Sequence, residues 1–153
     1  MKTETFRIDH PLARGSEVTS QDLWDFPDGL IGLPEHHRFA LVDLPDVPPF
    51  RLLASVDDPG FGIVVVDPRL LVPDYVVSIG ARQLSPLVER DPEQLRVLVP
   101  VVLPTASTPM RLNLKGPILL SPSERRGVQR VSPDDAHPMR YVPDLGGASA
   151  CSY

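Results

Sequence analysis

Nineteen of the 153 residues are proline. Proline fixes φ, lacks an amide hydrogen and is poorly tolerated in helix interiors and central strands. A chain interrupted this often has little room for long helices, so short strands joined by many loops are expected. Hydrophobic residues make up 42% of the chain and charged residues 23%. That balance suits a folded chain with its own core rather than a disordered or membrane-embedded one, and the length fits one domain.

The apolar pattern places the strands. Residues 3–9 alternate around Phe6 and Ile8, as an edge strand does. Residues 17–26 read as a strand containing a turn. Residues 38–44 and 51–56 read as strands, and GIVVV at 62–66 is the strongest β-branched run. Asp-Pro-Gly at 58–60 and Asp-Pro at 67–68 supply turn chemistry, so neighbouring strands are expected to pair antiparallel. Residues 81–88 are the expected helical interruption, because Leu84, Leu87 and Val88 share a helical face. LRVLVPVVL at 95–103 reads as a central buried strand, in which Pro100 demands a bulge or an edge. Short strands follow at 110–114, 118–120 and 128–131. The expected fold is all-β: an antiparallel barrel-like β fold with one short helical segment, spanning residues 1–131. Residues 132–153 are rich in Pro, Asp, Gly and Ser and read as a flexible C-terminal tail.

Charge and cysteine content limit the function. The formal net charge is −5, whereas proteins that grip phosphates concentrate basic side chains on one face. The basic cluster Arg125, Arg126 and Arg130, beside Lys115, reads as a solvated turn. A single cysteine, Cys151, cannot form an intrachain disulfide and fits a reducing compartment. The opening MKTETFRIDHPLARG lacks the apolar core of a secretory signal, and no uninterrupted apolar run reaches membrane-spanning length. A soluble cytoplasmic protein is expected.

The stretch FPDGLIGLPEHH at 26–37 raises three chemical possibilities. A phosphate cradle needs a helix directly after its glycines, but here Pro34 and a strand follow. A metal site at His36–His37 is disfavoured, because adjacent side chains on an extended segment point to opposite faces. A hydrolase needs a nucleophile on a strained turn with His and acid nearby, and there is no G-x-S-x-G. Cys151 has nothing near it to depress its pKa. The carboxylate pairs Asp57–Asp58 and Asp134–Asp135 sit in turn-like contexts. No enzyme, cofactor or metal site is therefore expected. Phe26, Leu30, Ile31 and Leu33 either pack inward as a loop plug or form a partner-facing patch.

The same residues carry a family resemblance. Phe26-Pro27-Asp28-Gly29-Leu30-Ile31-Gly32 resembles the F-P-x-G-I-x-G-F motif of the FliW family. Pro49-Phe50-Arg51-Leu52-Leu53-Ala54-Ser55-Val56 resembles its P-F-x-x-L-Q-S-V block, Val64-Val65-Val66-Asp67-Pro68 its V-V-x-[ND]-P block, and Pro73-Asp74-Tyr75 its P-D-Y. Leu112-Asn113-Leu114-Lys115-Gly116-Pro117-Ile118 and Gly127-Val128-Gln129-Arg130-Val131 resemble the last two blocks. The six blocks stand in family order. Leu33 stands where the family usually has Phe, Ala54 where it has Gln, and Gly116 where it has Ala.

The resemblance implies a non-enzymatic flagellar assembly factor that switches partners. FliW-like proteins bind CsrA, a small RNA-binding regulator that represses flagellin translation, and they also bind flagellin. Flagellin accumulating in the cytoplasm occupies the factor and leaves CsrA free to repress; flagellin export reverses this. No direct contact with nucleic acid or membrane is implied. Expected partner contacts are Asp67, Pro68, Asp74 and Tyr75 on one loop, with Asn113 at a turn or edge. The alternative is a small β-barrel enzyme or metabolite-binding protein, which would need a deep pocket with converging polar groups.

Overall fold

The computed structural model describes residues 4–143 apart from 9, 14 and 59. Among the described residues ten strands form two sheets. β1 (Thr5–Arg7) and β2 (Glu17–Thr19) make a separate antiparallel ribbon in which Phe6 faces Val18. Among the described residues helical structure is confined to 3-10 turns, at Pro11–Ala13, Ser20–Asp22, Pro68–Leu70, Ala81–Leu84 and Pro92–Gln94. The helical interruption expected at 81–88 is thus one such turn followed by irregular chain, in keeping with its flanking prolines.

The larger sheet closes on itself. β3 (Leu23–Asp25), β4 (Arg38–Asp43), β5 (Arg51–Ser55), β6 (Gly62–Val66) and β7 (Arg96–Val102) pair antiparallel in sequence order. β9 (Ile118–Ser121) and β10 (Arg126–Gln129) complete a ring of seven, while the two-residue β8 (Arg111–Leu112) extends beside β7. The ring closes through one parallel contact, Arg126 beside Asp25; the other pairings among the described strands are antiparallel. Closure removes the exposed edges that invite aggregation.

Pro100 lies inside β7, opposite Val65. Its carbonyl accepts the Asn113 amide at 2.9 Å, so its missing N–H faces the same side. That side is where β7 passes from its β9 partner, ending at Leu98, to its β8 partner, beginning at Val101. The proline sits at the seam between two neighbours, where no ladder bond is lost.

Alternation along the strands sorts the core. One set, including Trp24, Phe39, Leu53, Val65, Leu98, Ile118 and Leu120, forms a single cluster that fills the barrel. The opposite set falls into two outer clusters. One lies under the ribbon and the 3-10 turn at Pro11–Ala13, and the other under the chain from Tyr75 to Leu95. That covering chain is pinned by two charged side chains. Glu124 accepts the Val88 and Glu89 amides at 2.9 and 3.1 Å. The Arg130 guanidinium donates to the Gln83 and Ser85 carbonyls and to Asp28.

The loop at 26–34 divides its apolar residues. Phe26 and Leu30 enter the barrel cluster, Phe26 meeting Phe39 edge-on at 5.1 Å. Ile31 remains 52% exposed at the tip. The plug and the exposed patch expected as alternatives are therefore both present, in one loop. Room for Phe26 exists because residue 127 is glycine: a Cβ there would stand 2.5 Å from the phenyl ring.

Residues 132–143, grouped by composition with the tail, run along the barrel. The Ser132 amide donates to the Lys115 carbonyl at 2.7 Å, and Tyr141 and Leu112 exchange both backbone hydrogen bonds. Low apolar content hid this strap because backbone bonds and a few buried side chains hold it. Residues 144–153, including Cys151, lie outside the described residues.

Candidate protein-docking surface

The sequence-derived contact residues fall in two places. Asp67 follows β6 and caps the next 3-10 turn, its carboxylate accepting the Arg69 amide at 3.0 Å. Pro68 occupies the first position of that turn and is buried. Asp74 is exposed, but Tyr75 is only 4% exposed. Its hydroxyl donates to the Leu114 carbonyl at 3.1 Å, and its ring stacks on His137 at 4.6 Å. Burial pushes its pKa from 10 up to about 12, with Arg69 opposing and Asp134 adding to the rise. Tyr75 holds the strap to the barrel and offers no ring to a partner here. The tight turn from Val72 to Tyr75 aims it inward, and P-D-Y alone does not reveal that direction.

Asn113 stands elsewhere. Its side-chain oxygen accepts the Lys115 amide at 3.1 Å, fixing the turn after β8. The turn-forming and partner-facing readings of this residue are compatible, because its flank is open. Asn113 and Met139 line both of two adjoining hollows. The larger, of about 590 Å³, runs past Val64, Val102, Arg111 and Arg140. The smaller, of about 220 Å³, lies between Ile31, Gln129 and Val131. Together they form one apolar groove in which Ile31, Val102, Val131 and Met139 are each at least half exposed.

A second groove, of about 530 Å³, lies beside Asp67, with Arg51, Val66, Leu70 and Arg96 in its wall. The β6–β7 ladder links the two. Val64 and Val101 form a pair at the Asn113 end, and Val66 and Val99 form one toward the Asp67 end. The exposed Val102, Val131 and Met139 and the partly buried Arg111 were not singled out from sequence. A partial signal existed at Val102, which ends a strand and alternates with the buried Val101, so that it lies on the other face of β7.

The remaining sequence candidates have structural partners. His36 meets Phe61 edge-on, whereas His37 bonds the Phe26 carbonyl at 3.0 Å through Nδ1. Asp57 accepts the His37 and Arg38 amides and pairs with the Arg38 guanidinium at 3.1 Å. Burial pushes its carboxyl up, but these hydrogen bonds outweigh that and hold it below the usual range. Arg125 lies 3.9 Å over the Trp24 ring, Arg126 is 4.0 Å from Asp25, and Arg130 pairs with Asp28 at 2.9 Å. The basic cluster is thus used within the fold. Among the described residues no three His, Cys, Asp or Glu side chains gather as metal ligands, and no helix is long and apolar enough to cross a membrane.

A barrel plugged by an F-P-x-G loop, with a basic turn closing its parallel seam, invites comparison with known proteins. The model of the FliW protein family matches residues 9–142. The chain belongs to the FliW family. A flagellar assembly factor FliW from Caldanaerobacter subterraneus is 32% identical over 92% of this chain and 90% of its own length. One from Nitratidesulfovibrio vulgaris is 36% identical over 86% of this chain and 77% of its own. A crystal structure of the flagellar assembly factor FliW superposes with a TM-score of 0.80 at 22% identity, covering 91% of this chain and 96% of that one. That structure shares the FliW barrel. The family match extends to residue 142, so the strap belongs to the FliW domain along with the barrel.

Proposed function

We propose that this FliW-family protein acts as a cytoplasmic, non-enzymatic flagellar assembly factor that alternates between CsrA and flagellin. In this role it binds CsrA and relieves repression of flagellin synthesis until flagellin displaces that activity. The observation that carries the reading is a barrel filled with apolar side chains beneath an open apolar groove. Such a molecule has surface to offer proteins rather than an enclosed site for a reaction.

Two features support partner exchange. The grooves lie toward opposite ends of the β6–β7 ladder, so one partner can meet a different surface from the other. Each is of modest size, which suits reversible rather than obligate association. The net charge of −5 favours encounter with a basic RNA-binding protein and disfavours RNA itself. A competition pull-down with purified CsrA and flagellin tests the reading. Each partner alone should be retained, and added flagellin should reduce retained CsrA. Failure of both to bind at micromolar concentration would reject the role.

A further inference from the structure

We propose, resting on the adaptor role above, that the groove at Asn113 and Met139 receives an acidic, apolar segment of a partner protein, whose carboxylate pairs with Arg111. Among the described residues, no acidic side chain lines either hollow. That is unusual for a chain with 20 Asp and Glu against 15 Lys and Arg. The groove beside Asp67 differs, since Asp67 lines it.

Arg111 is the second, independent observation. Its Nε is buried and has no hydrogen-bond partner among the described residues. Other guanidinium groups find partners within the fold, Arg38 with Asp57, Arg51 with Asp43 and Arg130 with Asp28; Arg125, whose Nε is also buried without a hydrogen bond, lies over the Trp24 ring at 3.9 Å. The Arg111 side chain as a whole is only partly buried and lines the groove, where a carboxylate is the acceptor that best matches a guanidinium. The exposed Arg140 lies in the same groove without an ion pair among the described residues. The apolar contacts come from Val102 and Met139, which are 50% and 63% exposed. Apolar side chains beside a partly desolvated arginine form the pattern of an interface centre. A nucleic acid would satisfy the cations, but it would leave the apolar wall facing sugar and phosphate.

Two labelled peptides with the same apolar residues test this, one carrying Glu at every polar position and the other Lys. Fluorescence anisotropy with the full chain should show the Glu peptide bound at least about tenfold more tightly than the Lys peptide. Arg111→Met, with its melting curve compared to the parent, should lower Glu-peptide affinity about tenfold. The exposed Arg140→Glu should weaken it several-fold if Arg111→Met fails to fold. Met139→Asp should abolish binding, and Val88→Asp, outside the groove, should leave it unchanged. Equal affinity for the two peptides, no response to the Arg111 and Arg140 variants, no binding at all, or displacement by a single-stranded RNA oligonucleotide would each overturn the assignment. Capture of flagellin and CsrA by the unsubstituted chain separates the two ideas: capture without peptide binding sinks the groove alone, and absent capture sinks the adaptor role.

Discussion

The loop at 26–34 and the strap at 132–143 face each other across the smaller hollow, one contributing Ile31 and the other Met139. They are held in different ways. The loop is fixed by its backbone: Leu30 and Leu33 exchange both hydrogen bonds, and Gly29 sits at φ 68°. The strap touches the barrel through backbone bonds at Ser132, Pro138 and Tyr141, and between them it is pinned by side chains, through the Tyr75–His137 stack and the buried Ser132 hydroxyl bonded to His137 at 2.8 Å. A backbone-determined wall should resist change everywhere except at its glycine. A side-chain-pinned wall should loosen locally when a pin is removed.

The largest effect should come from Gly29→Ala. A Cβ there would lie 2.4 Å from the Leu33 carbonyl oxygen and 2.7 Å from the Pro34 Cα, both backbone atoms. Left-handed backbone and overpacking together should cost roughly 2–5 kcal/mol. Gly32→Ala is the matched control, because φ is 84° but nothing lies within 4 Å of the added atom; it should cost only about 1 kcal/mol. Urea unfolding reads both. Equal losses would mean that crowding against Pro34 does not hold the loop.

His137→Ala should come next, at roughly 2–3 kcal/mol for the lost ring stack and hydroxyl partner. The comparison of the two walls predicts where the loss appears. Hydrogen exchange should accelerate at the Leu112, Leu114 and Tyr141 amides, which bond to or within the strap. The Gly29, Leu30 and Leu33 amides should keep their protection. Uniform acceleration would show that strap and loop open as one unit.

The two walls also differ in how far the sequence reveals them. Glycine spacing and Pro34 mark the loop as shaped, since positive φ and turn closure are local properties. Strand positions were legible for the same reason: alternation at 38–44, 51–56 and 62–66 is a local record of which face is buried. The strap carries no such record. Its fixing contacts, Tyr75 to His137 and Ser132 to Lys115, join residues far apart in the chain, and its composition resembles that of unstructured segments. The same blindness placed Tyr75 on the surface and overlooked Val131 and Met139, because exposure of a single apolar side chain depends on what packs beside it in three dimensions. The parallel seam between β3 and β10 was equally hidden, being a pairing across a hundred residues of intervening chain.

Alkaline pH provides a gentler test of the strap wall. The Tyr75 pKa is raised from 10 to about 12, so its neutral form is favoured in the folded state. Its contribution is fully present below pH 10 and is lost as pH rises toward 12, at most about 2–3 kcal/mol. Tyr75→Phe should cost about 1 kcal/mol at neutral pH for the lost bond to Leu114, and should flatten stability between pH 10 and 12 relative to the parent. An unchanged alkaline slope would show that ionisation of this ring does not govern the strap.

Gln129 should give the most local effect and the sharpest separation of the walls. It is buried beneath the hollow, its side-chain oxygen accepting the Ile31 amide at 3.0 Å and its side-chain nitrogen donating to the Gly116 carbonyl at 3.0 Å. It therefore ties the tip of the loop to the turn that carries Asn113, without touching the His137 stack. Gln129→Ala should cost about 1–2 kcal/mol, because water entering the hollow can replace part of each bond. Exchange should quicken at the Ile31 amide while the Leu114 and Tyr141 amides stay protected. If the strap amides quicken as well, the two walls share a common floor through the 113–116 turn, and a ligand seated against one of them would necessarily be felt by the other.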